Sequence, residues 1–228
     1  MFRFIQNWDQ CIRRKSLCRD DANLQNTGLS ANGDSNLKDW GIFLFCFLFL
    51  FCSFYHNTLA AGFDLLPGDN GDTRFNLLIV EHWIQFFQGN LDFGESRLFY
   101  PLSYSLGFSD LSLGIAIFEL PLRFIGLDLY RATQIVYYLL HFGGAAACFY
   151  LLRKQLNLNL IPSLTGMMVI CFGNALYLKL EHTQFYSYYL LPVLLVLLIH
   201  YCRYPAGTAF AKRLLTLSAA ALSALWIL

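Results

Sequence analysis

An aspartate two residues ahead of an arginine, both at the head of an apolar periodic run, is a pair that can manage a proton and a phosphate. Asp72 and Arg74 stand this way in Pro67-Gly-Asp-Asn-Gly-Asp-Thr-Arg-Phe-Asn76. A carboxylate within hydrogen-bond reach of an acceptor hydroxyl can serve as general base. A guanidinium matches phosphate oxygens in a two-point geometry. The same aspartate is also well placed to cap the following helix, the commonest role for Asp at such a position, with Arg74 simply solvated. Glu81-His82 could add a second acid–base pair or metal donors, and is read otherwise as the wet side of a surface helix. His182, in Glu181-His-Thr-Gln184, is a further candidate. Whether these residues meet depends on the elements that carry them.

Those elements belong to a chain poor in charge. Only 14% of the 228 residues are charged, whereas 57% are hydrophobic and 17% aromatic. A soluble domain carries about a quarter charged residues. The aromatic content excludes a disordered chain. The net charge of +1 argues against a nucleic-acid binder. An all-α, polytopic membrane bundle is therefore expected. A spanning helix needs about 20 mainly apolar residues, and the expected spans lie near 40–62, 131–152, 156–178 and 183–202, with a fifth starting at 212–228. That fifth run is short of a full span at Leu228, so the chain is expected to be the front part of a longer membrane protein. Residues 1–39 are too long and too polar to lead a cleaved signal peptide and form an expected cytoplasmic tail.

The segment Leu111–Leu127 is apolar but interrupted by Glu119, Pro121 and Arg123. If it does not span, the basic residues of the tail gather inside with Arg153, Lys154, Arg203, Lys212 and Arg213. That split follows the positive-inside rule better than the alternative. Charges of both signs at mid-segment are also costly in lipid. The segment is thus expected to lie along or dip into the outer face, leaving one external loop over 62–130. This loop holds more than half of the 15 acidic residues and is too aromatic for disorder. Within it Thr73–Gln88 reads as an amphipathic helix lying on the bilayer surface, with Glu81, Gln85 and Gln88 as its polar stripe. Asp72 would then sit at the water–lipid boundary, where a head group on a lipid tail arrives. His182 falls on the same side, facing the same cavity or only lipid head groups.

Other readings are weak. Five of the seven cysteines lie in or beside apolar runs, and none has zinc-site or disulfide-framework spacing. Asp69-Asn-Gly-Asp72 lacks the alternating ligands and closing Glu of an EF-hand. There is no glycine-rich phosphate loop, no nucleophile elbow and no internal repeat. Ser109-Asp110 reads as another cap, and packing is the default for His56 and His141.

Gly71-Asp-Thr-Arg-Phe-Asn76, Glu81-His82, Phe99-Tyr-Pro101, Ser109-Asp110 and His182-Thr-Gln184 resemble a group of bacterial multi-pass membrane proteins. These in turn are similar to the GT-C superfamily of membrane glycosyltransferases. The resemblance covers about residues 40–205. It implies a bacterial inner-membrane enzyme that moves a sugar from a polyprenyl-phosphate carrier to a glycan, lipid or protein acceptor on the outer face. It makes Asp72 the base, with Asp69 the alternate. Arg74, Glu81, His82, Arg97 and His182 become candidates for binding substrate or carrier phosphate, and a divalent metal is compatible with the same group. Two other classes fit the composition: a non-catalytic lipid or polysaccharide transporter, and an assembly subunit of a membrane complex.

Overall fold

The computed structural model describes residues 31–68, 71–95, 102, 104, 112–173, 182–203, 216 and 218. The chain divides into two compact units, Met1–Ile42 and Phe43–Leu228. The described residues are helical with connecting turns, and no strand occurs among them. In chain order the helices are α1 (Ala31–Phe54), α2 (His56–Ala60), α3 (Asp72–Phe87), α4 (Leu113–Phe124), α5 (Leu129–Tyr150), α6 (Leu160–Phe172) and α7 (Leu190–Arg203). A π turn, Leu151–Gln155, prolongs α5, and a 3₁₀ turn, Thr183–Tyr189, leads into α7.

Among the described residues two helical stretches are long and apolar enough to cross a membrane, Asn36–Phe54 and Leu129–Gln155. They are packed differently. Half of the most apolar stretch of the second is buried in the protein, against 17% for the first. The reason is visible in the sequence of α1. Phe43, Phe47, Phe51 and Tyr55 recur at every fourth residue and share one side. There Phe43 stacks on Phe149 at 4.9 Å, Phe47 meets Phe142 edge-on at 5.2 Å, and Phe51 meets Tyr138 at 5.0 Å. Leu44, Phe45, Leu48 and Phe49 on the other side stay exposed. From Phe43 onward the helix thus has one packed side and one exposed apolar side.

Helix α5 is the hub of the second unit and packs against α4, α6, α7, the π turn and the 3₁₀ turn. Its core-facing side sets the polar and aromatic Thr133, Gln134, Tyr137 and His141 among the aliphatic Ala132, Val136, Leu140 and Ala145. His141 is fully buried, its Nδ1 lies 3.0 Å from the Tyr55 hydroxyl, and its ring stacks on Tyr189 at 4.3 Å. Gly144, one turn further on, brings the backbones of α5 and the 3₁₀ turn together. A methyl group added there would come within 2.6 Å of the Tyr189 carbonyl oxygen. Small residues permit this kind of close helix approach.

The segment expected from sequence to form an external loop contains, among its described residues, two helices that pack on one another. α4 has 12 residues and is about 18 Å long, short of the about 30 Å of a hydrocarbon core. α3 differs from the expected surface helix. Its apolar stripe, Leu77, Ile79, Val80 and Ile84, is buried within the protein, because α4 packs onto it. Leu78 and Phe87 are its exposed apolar residues. The expected spans 156–178 and 183–202 contain α6, with 13 residues, and α7, with 14. Residues 174–180 lie outside the described residues, as does 212–228 apart from Thr216 and Ser218.

Candidate functional site

Asp72 and His182, far apart in sequence, come together in the fold. His182 Nδ1 lies 3.6 Å from Asp72 Oδ2. This is longer than a hydrogen bond and within ion-pair reach when the imidazole carries a proton. Both side chains remain accessible, 58% for Asp72 and 25% for His182.

Each is delivered by a segment anchored to α5. Ahead of Asp72 the chain leaves α2 through Gly62 and Phe63, both at positive φ (64° and 72°). That left-handed turn is natural for glycine and strained for phenylalanine. It is held by Gln134, which is fully buried and donates its Nε2 to the carbonyls of Phe63 (2.9 Å) and Leu65 (3.0 Å). His182 immediately precedes the 3₁₀ turn, where the Phe185 amide donates to the His182 carbonyl at 3.1 Å. That turn is fixed by Tyr186, whose ring lies flat on Tyr137 of α5 at 3.6 Å and 10°. Gln134 and Tyr137 are three residues apart and so share one side of the helix.

The cap position of α3 falls on Gly71, and Asp72 is its first helical residue. This moves Asp72 one place from the cap position read from sequence. Its carboxylate sits at the electropositive end of a 16-residue helix, a favourable location for an anion. Arg74 is exposed on the same first turn.

The other candidates are placed elsewhere. Glu81 accepts from Arg123 of α4, with NH2 at 3.1 Å from Oε2, and from Gln85 at 2.6 Å. Glu81 and Arg123 are partly shielded, 27% and 17% exposed. Arg123 also donates through NH1 to the Leu127 carbonyl at 3.0 Å and so closes the turn after α4. His82 is buried beside Trp83, and its burial lowers the imidazole pKa, favouring the neutral ring. Asp69, Arg97, Phe99-Tyr-Pro101, Ser109-Asp110 and Glu181 lie outside the described residues.

Asp72 and His182 supply two donors for a cation. Among the described residues no group of three or more His, Cys, Asp and Glu side chains gathers to hold a metal.

Two residues outside the sequence-based candidate set prove central. Gln134 holds the turn before Asp72. Glu119, on α4, is fully buried beside Arg123 and Glu81. Its signal was present in the sequence, since Glu119 and Arg123 stand four apart within an apolar stretch and so face the same side. Comparison with family models, curated proteins and solved structures returns no match for this chain.

Proposed function

We propose that the protein is a multi-pass membrane glycosyltransferase of the bacterial inner membrane, its N-terminus cytoplasmic, with Asp72 as its general base. It moves a sugar from a polyprenyl-phosphate carrier to an acceptor hydroxyl at the outer face. The observation that carries the reading is the Asp72–His182 pair, an accessible carboxylate and imidazole joined from two distant segments. The exposed apolar side of α1 and the resemblance to GT-C enzymes support the membrane setting and the substrate class.

In the reaction Asp72 takes the proton of the acceptor hydroxyl as its oxygen attacks the anomeric carbon. The bond from that carbon to the carrier phosphate breaks, and its electron pair leaves on the phosphate. The anomeric configuration inverts. His182 orients the Asp72 carboxylate or relays its proton. Arg74 and the N-terminal end of α3 provide positive potential for the departing phosphate, as such electrostatic stabilisation requires.

A positioned general base contributes about 10²–10⁴-fold. Membranes containing the Asp72→Asn protein should therefore transfer sugar from a polyprenyl-phosphate donor at least about 100-fold more slowly than the parent. Transfer at the parental rate overturns the assignment of Asp72, and absence of transfer by the parent with a panel of such donors overturns the activity.

A further inference from the structure

The strongest unassigned feature of the molecule is a cluster of three charged side chains between α3, α4 and α5. Glu119 of α4 has 0% exposure, and neither of its carboxyl oxygens has a hydrogen-bond partner. One turn further along the same helix, the Nε of Arg123 is likewise buried without an acceptor. An orphan donor and an orphan acceptor thus stand four residues apart on one helix, the spacing at which side chains meet. Meanwhile the outer nitrogens of Arg123 are committed to Glu81 on α3 and to the Leu127 carbonyl.

Three elements face the Glu119 carboxyl. From α3 comes Glu81, which disfavours its ionisation, and from its own helix Arg123, which favours it. From α5 come the Tyr137 phenol and the Thr133 hydroxyl. In the structure that hydroxyl donates to the Leu129 carbonyl at 2.8 Å. An ionised carboxylate without donors in such a site is strongly disfavoured. An ionised Glu119 would need donors, and two are at hand: the Thr133 hydroxyl, on release from the Leu129 carbonyl, and the Arg123 guanidinium.

We propose that Glu119 is a proton-binding site that controls the Arg123–Glu81 bridge and, through it, the docking of α3 on α4. With Glu119 protonated, Arg123 reaches across to Glu81 and ties the two helices together. When the proton leaves to solvent, the guanidinium turns back through Nε to the new carboxylate, and Glu81 loses its cationic partner on α4 and keeps only Gln85 of its own helix. Arg123 is thereby shared between two carboxylates in alternative pairings. Burial of the carboxyl raises its pKa from 4.5 to about 8, so the exchange falls in an accessible pH range. Because α3 begins at Asp72, loss of the same proton would loosen the helix that bears the candidate base. The proposal itself is independent of any enzymatic activity.

The test uses the intact protein in lipid nanodiscs. Infrared difference spectra between about pH 6 and about pH 10 should show a protonated-carboxyl band that disappears at the alkaline end and is missing in Glu119→Gln. Hydrogen exchange of the α3 amides around Glu81, corrected for the chemical effect of pH, should rise about tenfold over the same range. It should stay constant in Glu119→Gln. In Glu81→Gln, which keeps Glu119 and frees Arg123 for it, the carboxyl band should titrate at lower pH, so the proposal stays testable if Glu119→Gln does not fold. A carboxyl band that survives in Glu119→Gln, a titration unchanged in Glu81→Gln, or α3 protection independent of pH in the parent would each overturn it.

Discussion

Gln134 and Tyr137 lie one helical turn apart on α5, and between them they hold both arms of the Asp72–His182 pair. Gln134 donates to the turn that leads to Asp72, and Tyr137 stacks on the turn that follows His182. Neither residue is part of the candidate chemistry. Their common helix sets the distance between two side chains that nothing in the local sequence connects.

Replacing Gln134 by Leu should therefore disturb the pair from a distance. Two carbonyls would lose their donor, and because Phe63 and Leu65 are exposed the net cost should be about 0.5–1.5 kcal/mol for each bond. The thiols of an Asp72→Cys/His182→Cys protein should be joined by a short bifunctional thiol cross-linker, and adding Gln134→Leu should slow the reaction. Equal cross-linking rates with and without Gln134 would show that the turn is held by something else.

The contact at Gly144 gives a steric prediction. A methyl group there would meet a backbone oxygen at 2.6 Å, and backbone cannot step aside as a side-chain tip can. Gly144→Ala should lower the stability of the detergent-solubilised protein by about 1–3 kcal/mol, and Gly144→Val by more. Neighbouring Gly143 has open space around the same position, so Gly143→Ala should leave the thermal midpoint unchanged or raise it. The contrast between the two glycines is the measurement.

The Glu81–Arg123 bridge is partly shielded from water and joins two helices, so it should exceed an exposed ion pair, whose typical value is about 0.2–1 kcal/mol. A double-mutant cycle with Glu81→Gln and Arg123→Gln should give a coupling of about 1 kcal/mol or more near neutral pH. The coupling should shrink in alkaline solution, where Glu119 competes for the guanidinium. A coupling that does not vary with pH would separate the bridge from Glu119.

Glu119 also makes stability depend on pH, with a definite sign. Its pKa rises from 4.5 to about 8 on folding, so the folded state holds a proton that the unfolded chain releases. The favourable contribution is complete below the unfolded value and is lost progressively as pH rises through the folded value. The whole shift corresponds to at most about 5 kcal/mol. Denaturant midpoints of the parent should fall between about pH 5 and about pH 8 relative to Glu119→Gln, and the difference should level off beyond. Parallel curves would show that Glu119 has the same affinity for its proton in both states.

Much of this protein is written in its linear pattern. The apolar runs determine that it is helical, and the four-residue recurrence of Phe43, Phe47, Phe51 and Tyr55 determines which side of α1 packs. The periodic run after Asp72 determines α3 and its Glu81–Gln85 stripe, because i and i+4 meet on any helix. Local rules stop there. They offered the apolar side of α3 to lipid, whereas the tertiary structure buries it under α4, since apolar surface is satisfied equally by a membrane and by a neighbouring helix. They treated Glu119 and Arg123 as interruptions of an apolar segment, and only packing against α3 and α5 turned them into a sealed cluster with alternative partners. The meeting of Asp72 with His182 was also beyond them. Residues so far apart in sequence are brought within 3.6 Å by anchors on a third helix, and such an arrangement exists only once that helix has gathered both segments.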